Sequence, residues 1–564
     1  MKPTLEEVDR RLTAPGSPFE IERRSIRGIK TRTWKQAPTS LAEVVRFTGQ
    51  FGARTFLIAA GRSWSYDAHN KAVAALAAAL VRELGVAKGD RVALAMRNLP
   101  EWPMVFFAAT SVGAIAVPLN AWWTADELAY GLADCGAKVL FADPERLARI
   151  TPHRPRLPHL AAVIGAGEAP NGTALDLSEL LGRHDGAALP DGPIKADDPA
   201  TIFYTSGTTG TPKGALGTHR NICSNIWSTA YSRARNALRQ GQPIPLPGAA
   251  AEPKTGLVTV PFFHATGCHS ILLTNYYAGN RLVLMHKWDP ERALGLIAEN
   301  RVTNFSGVPG MAWQILSHPR RGDHDLSSLE VVGTGGAPAA PDLVGRITRD
   351  LPGVTAGNGY GMTETSALVT QNLGQDYQAR PDSVGAPVPV CELRICDSDG
   401  RALPRGEVGE LWIKGPNVVQ GYWAKPAATA AAFHAGWIKS GDAARIDDAG
   451  FVRIVDRIKD MVIRGGENVP SVEVEDAIFA HPEVVDAAVF GVPDRVLGER
   501  VAAVVTVPPG CQVTADQLRR FVAGRLAYFK VPEILEIRRE PLPRNANGKI
   551  EKRRLRDALI GAGG

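Results

Sequence analysis

Tyr204–Ala215 reads YTSGTTGTPKGA. After its tyrosine the stretch packs three glycines, five Ser/Thr hydroxyls and one lysine into eleven residues. Glycines let backbone N–H groups approach an oxyanion closely, hydroxyls add donors, and a lysine adds a mobile positive charge. The run Thr201–Tyr204 (TIFY) supplies a strand ahead of the loop. A glycine-rich loop leaving a strand is a phosphate cradle of α/β proteins. It is not a Walker loop, which needs GxxxxGK followed directly by Ser or Thr; here Gly207 is followed by Thr-Thr-Gly-Thr-Pro-Lys-Gly. The competing reading, a flexible surface turn, fails only if further nucleotide-handling residues lie downstream.

The surroundings fit an α/β chain. From about residue 55 to 355, strand-like runs alternate with helical patterns: Arg91–Met96, Ala114–Leu119, Lys138–Ala142, Ala161–Ile164, Gly256–Val260, Arg281–Met285 and Leu329–Gly333. Strands separated by helices imply crossovers and largely parallel sheets, which bind ligands in loops at the strands' carboxyl ends. Past about residue 385 the pattern changes to short strands with tight turns (Val390–Cys396, Gly409–Lys414, Phe451–Ile454), a smaller β-rich unit. A last α+β segment follows, read as helix Val472–Phe479, strands Val485–Val492 and Val501–Val507, and helix Ala515–Leu526. Gly165–Pro199 and Ala234–Thr255 are rich in Ala, Gly and Pro and read as surface loops.

Bulk numbers set limits. At 564 residues the chain is too long for one core, so at least two domains are expected. Apolar residues make up 45% and charged residues 22%, an ordinary globular balance. A net charge of +6 over this length suits an anionic small ligand better than nucleic acid. The six cysteines form no CxxC pair and read as reduced thiols of a cytoplasmic protein. Met1–Arg24 is charged, holds three prolines and lacks the apolar core of a signal peptide. Trp102–Leu119 has 18 uncharged residues, but Pro103 and Pro118 bracket it, so it reads as a buried helix running into a strand.

Downstream phrases complete the argument. YTSGTTGTPKG (204–214), PFFH (261–264), GGAP (335–338), GYGMTE (359–364), GEL (409–411), GYWAKP (421–426), GWIKSGD (436–442), DRIKDMVIRGGEN (456–468) and LPRNANGKIEKRRLR (542–556) stand in this order. Together they resemble the adenylate-forming superfamily, and most closely its acyl-CoA synthetase branch. The resemblance implies a large N-terminal AMP-binding domain (1–455) with two parallel-rich α/β sheets and a small β-barrel-like subdomain. A hinge (456–459) and a small mobile α+β C-terminal domain (460–564) would follow.

It also implies a two-step reaction. A carboxylate attacks the α-phosphorus of ATP, giving an acyl-adenylate and pyrophosphate; the thiol of coenzyme A then takes the acyl group and releases AMP. By resemblance, Thr205, Ser206, Gly207, Thr208, Thr209, Gly210 and Lys213 hold the β- and γ-phosphates. Thr363 meets the α-phosphate, Glu364 helps hold Mg²⁺, and Tyr360 stacks on adenine beside Asn358 and Gly359. Asp442 takes the ribose hydroxyls with Arg457 in support, and Lys549 bridges the acid and the α-phosphate. Lys459 falls at the hinge, Gly465, Gly466 and Asn468 flank the pantetheine path, and Lys287 meets CoA phosphates. His264 sits at the carboxylate entrance, and Thr266, Ser270, Gly335, Gly336, Ala337 and Gly359 line the acid site. Those walls are small and uncharged, so the expected acid is apolar and larger than acetate: a medium- or long-chain fatty acid, or a bulky aryl or polycyclic acid.

Ile463 stands where some aryl-acid ligases carry lysine, and Val469-Pro470-Ser471 replaces a commoner Ile-Tyr-Pro. His264, Cys268 and His269 could read as metal ligands, but three candidates within six residues and no second cluster make a poor site. The rivals are an acyl-AMP ligase serving a carrier protein, a luciferase-like oxygenase, and a non-enzymatic binder using the basic run Arg23–Lys35, itself read as a solvated linker. No nucleic-acid partner and no transmembrane segment are expected. Peripheral membrane contact and a homodimer stay open.

Overall fold

In the computed structural model, residues 3–167, 174–205, 211–245, 252–337, 339–544 and 549–562 are described. Two large sheets dominate. The first has seven strands, in spatial order Lys213–Thr218, Pro199–Thr205, Ile115–Pro118, Arg91–Ala95, Val139–Ala142, Ala162–Gly165 and Leu175–Asp176. All neighbours run parallel except the first pair, which forms the antiparallel arms of the Tyr204–Ala215 loop. The apolar stretch resolves as expected: helix Glu101–Ser111 has no polar face, so it is buried, and it runs into the fully buried strand Ile115–Pro118.

The second sheet has nine strands, in order Ala386–Pro387, Ala367–Leu373, Thr355–Met362, Val331–Gly335, Asn304–Gly307, Thr255–Val258, Arg281–Leu284, Thr55–Ala59 and Arg62–Ser65. Its six central strands are parallel. Helix His219–Arg239 packs on this sheet, and the Thr218 hydroxyl caps its start by accepting from the Asn221 N–H at 3.2 Å.

One turn of the nine-stranded sheet is strained. Thr355–Met362 and Ala367–Leu373 pair antiparallel with an irregular register between Tyr360 and Gly361. A Cβ on Gly361 would lie 1.5 Å from the Ala367 carbonyl oxygen, so only glycine fits. Across that turn Ser366 and Ala367 hold left-handed backbones at φ 50° and 86°. Strain of this kind persists only where the surrounding structure enforces it, and it tends to gather at functional sites.

The β-rich unit is a five-stranded antiparallel sheet built from Glu392–Cys396, Gly409–Lys414, Phe433–His434, Trp437–Ile446 and Val452–Arg457. The C-terminal segment has its own five-stranded sheet and its own core around Val462, Val489, Val505 and Leu518. Helices Ser471–Phe479, Ala515–Ala523 and Lys552–Ala562 belong to it.

Three readings need correction. Gly165–Pro199 is not all loop: Asp176 caps a helix, Leu177–Arg183, that buries Leu177 and Leu180. Its Leu-x-x-Leu spacing is drowned in the composition of the longer stretch. Residues 234–239 of the second supposed loop continue the long helix, because Ala234, Ala237 and Leu238 keep the buried stripe going. The basic run Arg23–Lys35 is no linker; it lies in an antiparallel hairpin, Ile21–Ile26 with Ile29–Trp34, anchored by buried Trp34 and by Lys35 on Glu20 at 2.8 Å.

Candidate active site

A cleft of about 3600 Å³ is lined by both large sheets, the β-rich unit and the C-terminal segment. A drug-sized ligand needs about 300–1,000 Å³, so there is room for more than one reactant. Thr205, Lys213, His264, Thr266, Ser270, Gly335, Gly336, Ala337, Asn358, Gly359, Tyr360, Thr363, Glu364, Asp442, Arg457, Lys459 and Lys549 all line it. These residues come from segments hundreds of positions apart. Ser206, Gly207, Thr208, Thr209 and Gly210 lie outside the described residues. Lys287 and the hairpin carrying Gly465, Gly466 and Asn468 do not line the cleft and are exposed elsewhere.

The Lys213 end of the cleft is fixed by a backbone ladder. Leu216 N–H donates to the Gly421 carbonyl at 2.9 Å, Gln420 N–H to the Leu216 carbonyl at 2.9 Å, and Trp423 N–H to the Gly214 carbonyl at 2.7 Å. This places Tyr422 beside Lys213, whose Nζ lies 5.6 Å from the ring centroid. The Tyr422 hydroxyl donates to Glu364 Oε1 at 2.8 Å. One tyrosine thus separates the loop's cation from the cleft's buried carboxylate. Tyr204 serves as an anchor: its hydroxyl donates to Asp134 Oδ2 at 2.8 Å, and Lys425 takes Oδ1 at 2.7 Å. Sequence reasoning gave no role to Tyr422 or Asp134. The GYWAKP phrase was the signal for the first; nothing local marks the second.

At the other end Tyr360 donates to Asp442 Oδ2 at 2.6 Å, and Arg457 Nε lies 3.6 Å from Oδ1. Burial pushes both Asp442 and Glu364 above the usual carboxylate range, opposed by hydrogen bonds from Tyr360 and Tyr422 and by nearby cations. Lys549 belongs to the same cluster. Burial first, then the neighbouring Arg457 and Lys459, hold its ammonium down to about 8, against the pull of Asp442 and Glu364. Lys459 is lowered too, by burial and by Arg457. Crowded cations facing two buried carboxylates make a strongly polar cluster whose charges offset one another.

The part of the cleft expected to take the acid is walled by glycines. Gly335 has no room for a side chain, since its Cβ would lie 2.9 Å from the Gly359 carbonyl. Thr266 and Ser270 sit on a π-helical turn, Thr266–Leu272, a rare form frequent at functional sites. That turn parts the supposed metal trio. His264 lines the cleft, Cys268 joins the hydrophobic core, and His269 packs edge-on against Phe203 at 4.8 Å with its pKa pushed down to about 4 by burial.

A two-sheet body, a separate C-terminal unit and a cation-rich cleft between them define an enzyme that activates a small molecule with a nucleotide. The chain belongs to the AMP-binding enzyme family, which matches residues 45–423, with the family's C-terminal domain matching residues 473–549; it is an AMP-forming acid–thiol ligase. It is 37% identical over 497 residues to a feruloyl-CoA synthase of Amycolatopsis sp, covering 88% of this chain and 94% of that one. It is 36% identical over 532 residues to a Mycobacterium tuberculosis 3-[(3aS,4S,7aS)-7a-methyl-1,5-dioxo-octahydro-1H-inden-4-yl]propanoyl:CoA ligase, covering 93% and 99%. The crystal structure of the anthranilate CoA ligase AuaEII with anthranoyl-AMP superposes with a TM-score of 0.83 at 27% identity, covering 93% and 98%. Among the described residues no helix is long and apolar enough to cross a membrane.

Proposed function

We propose that this ligase condenses a largely apolar ring or chain acid with coenzyme A by way of an acyl-adenylate. The observation that carries the reading is the convergence of Lys213, Glu364, Asp442 and Lys549 on one cleft. In the first step an acid oxygen attacks the α-phosphorus of ATP, and the bond to the β-phosphate oxygen breaks. The anion-on-polyanion approach demands preorganised positive charge. Lys549 supplies it between the carboxylate and the α-phosphate, and Lys213 with Thr205 takes the departing pyrophosphate. Asp442, oriented by Tyr360 and Arg457, holds the ribose. Thr363 contacts the α-phosphate, and His264 closes the acid's entrance.

Glu364 suits Mg²⁺: a buried carboxylate facing a phosphate site offers the hard oxygen that this ion prefers. When bound, the ion would offset charge on the phosphates. In the second step the thiol displaces AMP from the acyl carbon. We assign residues 1–455 and 460–564 to two bodies and 456–459 to their hinge. Rotation there would withdraw Lys549 and bring Gly465, Gly466 and Asn468 to the thiol path. Lys287 would meet CoA phosphates.

The experiment is pyrophosphate and AMP release across fatty, aryl and polycyclic acids, with and without CoA. Pyrophosphate release followed by CoA-dependent AMP and thioester formation is the expected result. Adenylate without thioester would move the acceptor to a carrier protein. No adenylate with any acid would overturn the reading.

A further inference from the structure

Three polar groups on the cleft wall lack partners among the described residues. Thr229 Oγ1 and Gln371 Oε1 are buried without a hydrogen bond. Arg233 is exposed to the cleft and makes no hydrogen bond, ion pair or ring contact among the described residues. All three line the cleft. Other arginines of the same helix are engaged. Arg235 donates to the carbonyls of Gln371, Ala386 and Pro387 at 3.1–3.2 Å, and Arg239 holds Asp376 at 2.6 Å.

Their position follows from the packing of that helix. Asn225 donates to the His269 carbonyl at 2.8 Å and accepts from Leu368 N–H at 2.9 Å. It therefore ties the helix between the turn carrying Thr266 and Ser270 and the strand Ala367–Leu373. Thr229 and Arg233 follow by one and two turns, about 6 and 12 Å farther along the axis. Gln371 pairs directly with Gly359, so its side chain leaves the sheet on Gly359's face. The three groups therefore continue the acid site away from the nucleotide.

We propose that Arg233, with the Thr229 hydroxyl one helical turn before it, forms a distal polar subsite that receives an oxygen acceptor at the end of the acid opposite its reacting carboxylate; Gln371 Oε1, itself an acceptor, can take only a hydroxyl end. The subsite rests on the acid-ligase reading above and sharpens it: an apolar body with a keto, hydroxyl or carboxylate oxygen at its far end. Arg233 is wetted in the open cleft, so it costs little there. An acid that reaches it displaces that water. A plain hydrocarbon end then strands an unpaired cation, whereas an oxygen acceptor replaces the lost hydrogen bonds.

The test uses the full chain and compares kcat/KM for pyrophosphate release at saturating ATP. The acid pairs are octanoic acid against its ω-hydroxy and ω-carboxylate forms, and cyclohexanepropanoic acid against its ring-keto derivative. Wild type should favour oxygenated members by roughly 10–100-fold, the range of one charge-assisted hydrogen bond. Arg233→Met should abolish that preference, mainly by raising kcat/KM for the plain acids toward that of their oxygenated partners, with an unchanged melting temperature reporting correct folding; Arg233→Lys should restore part of it. The hydroxyl, keto and carboxylate arms rank the acceptor. Equal kcat/KM within each pair in wild type, or equal loss on both members in Arg233→Met, would overturn the subsite alone. Failure of every acid to form adenylate would overturn the ligase reading, and the subsite with it.

Discussion

Raising the pH from about 7 to about 9 should cut adenylation roughly tenfold, because Lys549 loses its proton over that interval. With its pKa held down to about 8, the ammonium is mostly charged at neutral pH and mostly neutral one unit above its midpoint. A lysine at the ordinary value of about 10.4 would stay charged throughout and give a flat profile. The sign follows from the cause: burial and the cations Arg457 and Lys459 disfavour the charged form, so activity is lost as pH rises. The assay is pyrophosphate release, with kcat/KM for ATP followed against pH, since that ratio reports the free enzyme. Bound ATP is a polyanion and should move the fall in kcat to higher pH. Lys549→Arg should be slower but flat. Lys549→Ala should lose roughly 10²–10³-fold in adenylation while still forming thioester from preformed acyl-AMP. A wild-type profile level to about pH 9.5, or the same fall in Lys549→Arg, would refute the assignment of the titration to Lys549.

Tyr360→Phe deletes the 2.6 Å bond to Asp442 and should raise the KM for ATP by roughly 5–10-fold with little change in the KM for the acid. Glu364→Gln keeps the shape but removes the charge; the Mg²⁺ concentration for half-maximal pyrophosphate release should rise at least about tenfold, and an unchanged Mg²⁺ requirement would dismiss it as a ligand. Gly361→Ala sets a Cβ against the Ala367 carbonyl and should destabilise the protein by more than about 3 kcal/mol, read as a lowered melting temperature or loss of soluble protein. A melting point within a degree or two of wild type would show that the turn can shift.

Alternating strands and helices were legible because the buried parallel strands are nearly continuous apolar runs, as at Arg91–Ala95 and Arg281–Leu284. The residues proposed to hold the nucleotide were legible as phrases, and the fold carries Thr205, Tyr360, Asp442 and Lys549 to one cleft. What the sequence hid is tertiary. Asp134 has a role only because two distant residues reach it, and Tyr422 only because backbone pairing sets it against Lys213. Arg233 sits beside Arg235 and Arg239, with nothing local to say which of the three has no partner among the described residues. The helix Leu177–Arg183 is too short for its periodicity to outweigh the glycines and prolines around it.

The ladder joining residues 214–216 to 420–423 is made of main-chain groups, so it is indifferent to the side chains that come between them in sequence. Lys213 and Tyr422 therefore keep their spacing however the walls around Thr266, Ser270 and Gly335 are rewritten. A scaffold of this kind separates two design problems. On the proposed reading the wall segments can be exchanged between enzymes to change the acid that is accepted, while the Lys213–Tyr422 pairing is inherited unchanged. Chimeras cut inside those walls should keep their ATP dependence, whereas those cut within the ladder should lose it.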